Sequence, residues 1–232
     1  MSAWDMTMQK YQINLSSTNM ASNIKNPLNP LYTISLFLMW LIMMVAMMLP
    51  SAIPVVLMFD KISNERKRLG YNYVKTFNFV FSYIFIWTLF SILATAIHIA
   101  LQLLNILNPM SLSVGYNIGA LIFIFAGVYQ MTPLKNVCLY YCRNPIEIFS
   151  EKKIFDNLNA LSVGLKHGLY CVGCCWVLMF LLFYSGVMNL LWIAGLSLYV
   201  LIEKYVIKIK IFNYLSGLIL IFWGIGILYN YN

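Results

Sequence analysis

The stretch LSVGLKHGLYCVGCCWVLMFLLFYSGVMNLLWIAGLSLYVLI, Leu161 to Ile202, decides how the chain is built. It is apolar almost throughout and far longer than the about 20 residues that one helical crossing of a hydrocarbon layer needs. Ser185 and Gly186 place turn-forming residues inside it. The run therefore reads as two apolar helices, near 162–184 and 188–202, joined by a tight turn.

Outward from this run the same pattern repeats. Apolar helices are expected near 31–49, with a Pro-interrupted continuation to about 59, and near 76–105, 114–131 and 211–229. Of 232 residues, 62% are hydrophobic and 9% are charged, and the mean hydropathy is +0.79. A soluble domain needs more polar surface than that to cover its core. The expected fold class is all-α, a polytopic membrane helix bundle with about six transmembrane helices in a lipid bilayer.

The net charge of +8 does not point to nucleic acid, because the basic residues sort by side. Lys61, Arg66, Lys67, Arg68 and Lys75 follow the first span; Lys135, Arg143, Lys152, Lys153 and Lys166 flank the connection between the third and fourth; Lys204, Lys208 and Lys210 follow the fifth. Cytoplasmic retention of Lys and Arg then puts those connections inside and both termini outside. The location implied is the inner, cytoplasmic membrane, crossed many times. Residues 1–30 are polar (SSTNMASNIKNPLNP closes them) and read as an external N-terminal tail without a cleavable signal. Residues 31–232 read as a single membrane-embedded helical domain.

Five cysteines, Cys138, Cys142, Cys171, Cys174 and Cys175, lie close together in sequence, beside His167. On the reducing side of a membrane such a group suggests metal or redox chemistry before structural disulfides. At about 100° per residue, His167, Cys171 and Cys174 fall within an arc of about 60°, with Cys175 about 80° from His167. A rise of 1.5 Å per residue nevertheless separates His167 from Cys175 by about 12 Å, too far for one ion on one helix. Two arrangements remain open. His167 and Cys171 with Cys138 and Cys142 form a Cys3His quartet suited to zinc. Alternatively, Cys171 and one of the adjacent pair Cys174 and Cys175 bind a soft Cu(I) ion, with thioethers in support.

Thioethers are plentiful in FLMWLIMMVAMMLP, where Met39, Met43 and Met47 recur at i, i+4, with Met44 and Met48 beside them. Met also fills helix interfaces without binding anything. Pro50 and Pro54 follow and are expected to bend or break the helix. Gly168 and Gly173 flank the cysteine face and would admit a close neighbour or local unwinding. His98 reads as a neutral imidazole bonded to a neighbouring helix. Glu203 and Lys204 read as an interfacial ion pair or solvated flank, and Asp60 has the same ambiguity.

Taken together, these pieces resemble a prokaryotic family of predicted metal-binding integral membrane proteins, some of which are labelled copper chaperones. The likeness rests on MMVAMMLPSAIP (Met43 to Pro54), YQMTPLKNVCLYYCRNP (Tyr129 to Pro145), GLKHGLYCVGCCWVLM (Gly164 to Met179), GVMN (Gly186 to Asn189), and Glu203 with Lys204. The resemblance implies that His167, Cys171, Cys174, Cys175, Cys138 and Cys142 are the ligand set.

The function expected is metal binding, leaning to copper: binding the ion, passing it on or helping to assemble a membrane metalloenzyme, with that enzyme or a metal-donor protein as partner. Cys171, Cys174 and Cys175 would be thiolate ligands, His167 with Cys138 and Cys142 would capture the ion, and Met43, Met44, Met47 and Met48 would extend its path. Zinc is the other candidate ion. No catalytic residue is expected. A membrane thiol-disulfide oxidoreductase using Cys171 and Cys174 is the alternative, and a structural subunit whose cysteines only pack is a third. No phosphate-binding loop for ATP is present.

Overall fold

A computed structural model of the chain describes residues 29–71, 75–108, 113–144, 157–187, 189–205 and 210–231. Helix α1 (Pro30–Arg68) begins where the sequence supplies both parts of an N-terminal signal: the Asn29 side chain accepts from the Leu31 amide, and Pro30 takes the first helical position. It runs through Pro50 and Pro54 without a break. The expected break does not occur, and carbonyls near the proline pair accept from side chains of neighbouring helices. Ser197 Oγ reaches Met47 O at 3.1 Å, Tyr83 OH reaches Met48 O at 3.3 Å, and Tyr205 OH reaches Ser51 O at 2.6 Å.

Helix α2 (Thr76–Leu103) packs against α1, and Thr76 Oγ1 donates to Asp60 Oδ1 at 2.5 Å across the turn between them. Asp60, which also accepts from Asn64, thus ties two helices together. A two-residue antiparallel ladder, β1 (Leu107–Asn108) with β2 (Ser113–Val114), lies past Leu103 at the other end of α2. Nothing in the apolar pattern marks it.

Helix α3 (Tyr116–Met131) ends at Thr132, where the chain bends by 66° into α4 (Pro133–Arg143). Thr132 caps α4 through its hydroxyl to the Lys135 amide, with Pro133 in the first turn. The segment carrying Cys138 and Cys142, read from sequence as loop, is therefore a helix. Helix α5 (Asn157–Phe180) continues after Leu181 into the short α6 (Leu182–Ser185). Gly186 then turns the chain at φ +85°, a conformation that costs glycine little, so the expected break at Ser185 and Gly186 is where the chain reverses. Helices α7 (Leu190–Tyr205) and α8 (Lys210–Tyr231) complete the bundle.

Small residues set the close crossings. A Cβ on Gly164 would lie 2.6 Å from Phe79 O, and one on Gly168 3.0 Å from Ile86, so α5 lies directly on α2. Gly127 of α3 and Gly217 of α8 each face the other's carbonyl, at 2.5 Å and 2.8 Å from a hypothetical Cβ. The all-helical bundle agrees with the sequence, apart from the small β ladder. Four helices are long and apolar enough to cross a membrane, and α3 with α4 would add a fifth as one bent span. Helix α7 falls short of that length. Large apolar side chains, including Leu57, Phe85, Phe125 and Phe222, point outward from the bundle. The N-terminal tail expected over residues 1–30, all but its last two residues, lies outside the described residues, as do Lys152, Lys153 and Lys208.

Candidate metal centre

Helix α5 turns Cys171, Cys174 and Cys175 into the bundle, each 1–2% exposed. Opposite them, the bend at Thr132 swings α4 back so that Cys142, 2% exposed, comes within hydrogen-bonding reach of Cys171 and Cys174. The thiols of Cys174 and Cys175 approach the Cys171 carbonyl at 3.1 Å and 3.0 Å. Four sulfurs thus gather where α4 crosses α5. One of them, Cys142, is brought there by a helix bend that the apolar pattern alone does not announce.

Lys204, near the end of α7, enters this group. Its Nζ lies 3.0 Å from Cys171 Sγ and 3.1 Å from Ser51 Oγ, and the residue is 2% exposed. The Tyr83 hydroxyl lies 3.3 Å from the same sulfur. Among the described residues no carboxylate pairs with Lys204. A buried ammonium requires an opposite charge nearby, and the thiolate form of Cys171 can supply it. The expectation of a solvated flank at Lys204 is thus corrected: its side chain is sealed among sulfurs because the helix end is covered by α1, α2 and α5.

Glu203, the adjacent residue, points into a different network. Its carboxylate pairs with Lys135 Nζ at 2.7 Å, both residues nearly unexposed, and accepts from Gln130 Nε2 at 3.1 Å. Lys135 also donates to Gln130, which contacts Tyr199, and Arg143 donates to the Glu203 carbonyl at 2.5 Å. Lys135 was read from sequence as a cytoplasmic surface charge. Its position as the third residue of α4 carries it inward instead. The two neighbours Glu203 and Lys204 do not pair with each other: one fastens α4 to α7, the other holds the cysteine group.

Met43, Met44, Met47 and Met48 are all buried on α1. Met48 Sδ lies 3.9 Å from Cys175 Sγ, so the methionine row touches the cysteines at its inner end. His167 is 2% exposed and stands beside the rings of Phe79 and Tyr83, at 5.9 Å and 5.8 Å between centroids, with Nδ1 unpartnered. Cys138 is only partly buried and faces Gly173, whose hypothetical Cβ would lie 2.9 Å from its sulfur. Gly173 thus admits α4, as expected, and no unwinding occurs there. Among the described residues no three or more His, Cys, Asp or Glu side chains are set as a ready-made metal shell. His98 does not make the expected hydrogen bond: both ring nitrogens are buried without a partner.

The sequence reading placed Lys204 at a helix flank rather than at the site, and assigned no role to Tyr83 or Ser51. A lysine immediately after a carboxylate, at the end of an apolar helix that has polar residues at i−7 and i−1, was the available signal; it cannot by itself tell a snorkelling flank from a buried charge. Chemically, the site offers several thiols, a thioether and one compensating cation, all shielded from water. That donor set suits a soft monovalent ion better than a hard one.

A family described as copper chaperone (PpoB2) matches residues 37–227. No curated protein and no solved structure matches the chain.

Proposed function

We propose, from the premise that the chain belongs to this copper chaperone family, that it handles Cu(I) within a membrane-spanning bundle and passes the ion to a copper-using partner. The single observation that carries the site is Lys204 Nζ 3.0 Å from Cys171 Sγ, both buried and without a carboxylate. Two thiolates holding one Cu(I) ion carry a net charge of −1. One ammonium beside them makes the group neutral, which a low-dielectric interior strongly favours over an isolated charge. Among known ligand preferences, thiolate and thioether select Cu(I).

In this reading Cys171 and Cys175, with Cys174 and Cys142 in exchange, are the thiolate ligands, and Met48 is the thioether at the edge of the group. Tyr83 and Lys204 orient and compensate Cys171. Cys138 and His167 stand to either side as capture ligands. The outward apolar side chains face lipid, the basic connections lie on the cytoplasmic side, and the protein sits in the inner membrane with both ends outward. Thiol-disulfide exchange with a protein substrate is disfavoured because Cys171 and Cys174, the pair it would use, are 1% and 2% exposed.

Elemental analysis of protein purified in mild detergent tests the site. Copper near one equivalent, lost in Cys171→Ser with the fold intact, is the expected outcome. Metal content unchanged by Cys171→Ser removes the basis of the proposal. Reporter fusions at either end, active only outside, check the orientation.

A further inference from the structure

Ser51 interrupts the apolar buried face of α1. Met44, Met47, Met48 and Val55 share that face, and Ser51 is as deeply buried as they are, at 3% exposed. An alanine would fill the same place with no polar atom to satisfy, so packing alone gives no reason for a hydroxyl. Its hydrogen bonds supply one. The hydroxyl donates to Met48 O at 2.9 Å, one turn back, which leaves only its lone pairs for other partners. Those lone pairs receive Lys204 Nζ at 3.1 Å.

This contact closes a ring drawn from four helices. Lys204 Nζ of α7 lies 3.0 Å from Cys171 Sγ of α5, that sulfur lies 3.3 Å from Tyr83 OH of α2, and Tyr83 OH lies 3.3 Å from Met48 O of α1. Met48 O is in turn the acceptor for Ser51. The Ser51 carbonyl also accepts from Tyr205 OH at 2.6 Å, so this one residue holds the end of α7 by its backbone and by its side chain.

A lysine ammonium is a point charge on a flexible four-carbon stem with much rotamer freedom to lose. Cys171 and Ser51 are its two hydrogen-bond partners among the described residues. Ser51 is the rigid one: its oxygen stands one bond from Cβ on a packed helix face, and its hydrogen is committed to Met48. A hydroxyl oxygen is a hard donor and no ligand for Cu(I), so it stays with the ammonium when sulfur takes the ion.

We propose that Ser51 is a positioning residue of the copper site, which holds the Lys204 ammonium against Cys171 and acts on the ion only through that charge. The proposal rests on the reading that Cys171 binds Cu(I) with Lys204 as its counter-charge. Without the serine oxygen the ammonium keeps one partner, spreads over more rotamers and spends less time beside the sulfur.

The test is a double-mutant cycle on the full chain in mild detergent, read by Cu(I) competition with a chromogenic chelator and by thermal unfolding of the metal-free protein. Ser51→Ala should weaken Cu(I) binding about threefold to tenfold, the worth of one hydrogen bond. In a Lys204→Met background the same change should cost less than about twofold. The metal-free melting temperature should follow the same pattern, falling on Ser51→Ala where Lys204 is present and staying nearly constant where it is Met, because only the first variant deprives a buried ammonium of an acceptor. Ser51→Thr keeps a hydroxyl able to bond the preceding turn and should keep the affinity. Equal losses from Ser51→Ala in the two backgrounds would show a serine that only packs, and overturn the proposal. So would unchanged affinity in Ser51→Ala, or a loss in Ser51→Thr as large as in Ser51→Ala at an unchanged melting temperature. Cu(I) binding untouched by Cys171→Ser is a separate failure, which overturns the cysteine reading and takes this inference with it.

Discussion

Replacing Lys204 by Met tests the charge reasoning at the centre of the site. At 3.0 Å, an ammonium and a thiolate attract by about 5 kcal/mol at an effective dielectric near 20. Side-chain relaxation and water entry leave a fraction of that, and at about 1.4 kcal/mol per decade a third of it corresponds to roughly tenfold to a hundredfold in affinity. Lys204→Met should therefore weaken Cu(I) binding by about that factor, because the thiolate and the anionic Cu(I) complex lose their counter-charge. Lys204→Arg, which keeps the charge, should lose less. The metal-free variant should melt at or above the wild-type temperature, since a hydrophobic side chain replaces a buried charge whose desolvation opposed folding. The assay is competition with a Cu(I) chelator alongside thermal unfolding of the metal-free proteins. Tighter binding in Lys204→Met would show that the ammonium repels the ion more than it compensates the sulfurs, and the reasoning would fall.

Glu203→Gln leaves Lys135 buried without a carboxylate and should destabilise by about 3–5 kcal/mol, whereas Lys135→Met combined with Glu203→Leu should lie near the wild type; chemical or thermal unfolding of the two variants beside the wild type distinguishes this from a surface pair, for which both would match it. Gly127→Ala places a methyl group 2.5 Å from the Gly217 carbonyl and should cost about 1–3 kcal/mol by forcing α3 from α8, while copper content per folded molecule stays constant. Thr132→Ala removes the cap at the start of α4 and should cost about 1 kcal/mol; reduced copper retention in this variant at low denaturant is expected because α4 carries Cys142. Tyr83→Phe keeps the packing but removes the hydroxyl 3.3 Å from Cys171, and slower or weaker Cu(I) uptake with unchanged stoichiometry is the expected readout.

Much of the helical plan was legible because apolar content and turn residues are local properties. The runs around Leu36 to Leu49 and Thr76 to Leu103 are long enough to declare themselves, and Gly186 marks its own turn by a backbone angle that suits no other residue so well. The cysteine face of α5 was equally readable, since periodicity alone puts Cys171 and Cys174 on one side. The continuity of α1 through Pro50 and Pro54 was not. Nor do the residues near the prolines announce that hydroxyls of Tyr83, Ser197 and Tyr205, from other helices, bond carbonyls beside them. Helix α4 was missed although Thr132 and Pro133 form an ordinary start signal, because its charges and cysteines look like a connection when hydropathy is the guide.

Sequence by itself determined that this is an apolar all-helical chain with thiols and thioethers concentrated on particular faces, since composition and helical period are fixed before any helix meets another. Only tertiary structure decided which of those groups share a site. The bend at Thr132 brought Cys142 beside Cys171, and the crossing of α7 set Lys204 among the sulfurs while sending Glu203 to Lys135. Two adjacent charges have no local reason to part; burial separates them by giving each a different partner, Lys135 for Glu203 and Cys171 with Ser51 for Lys204.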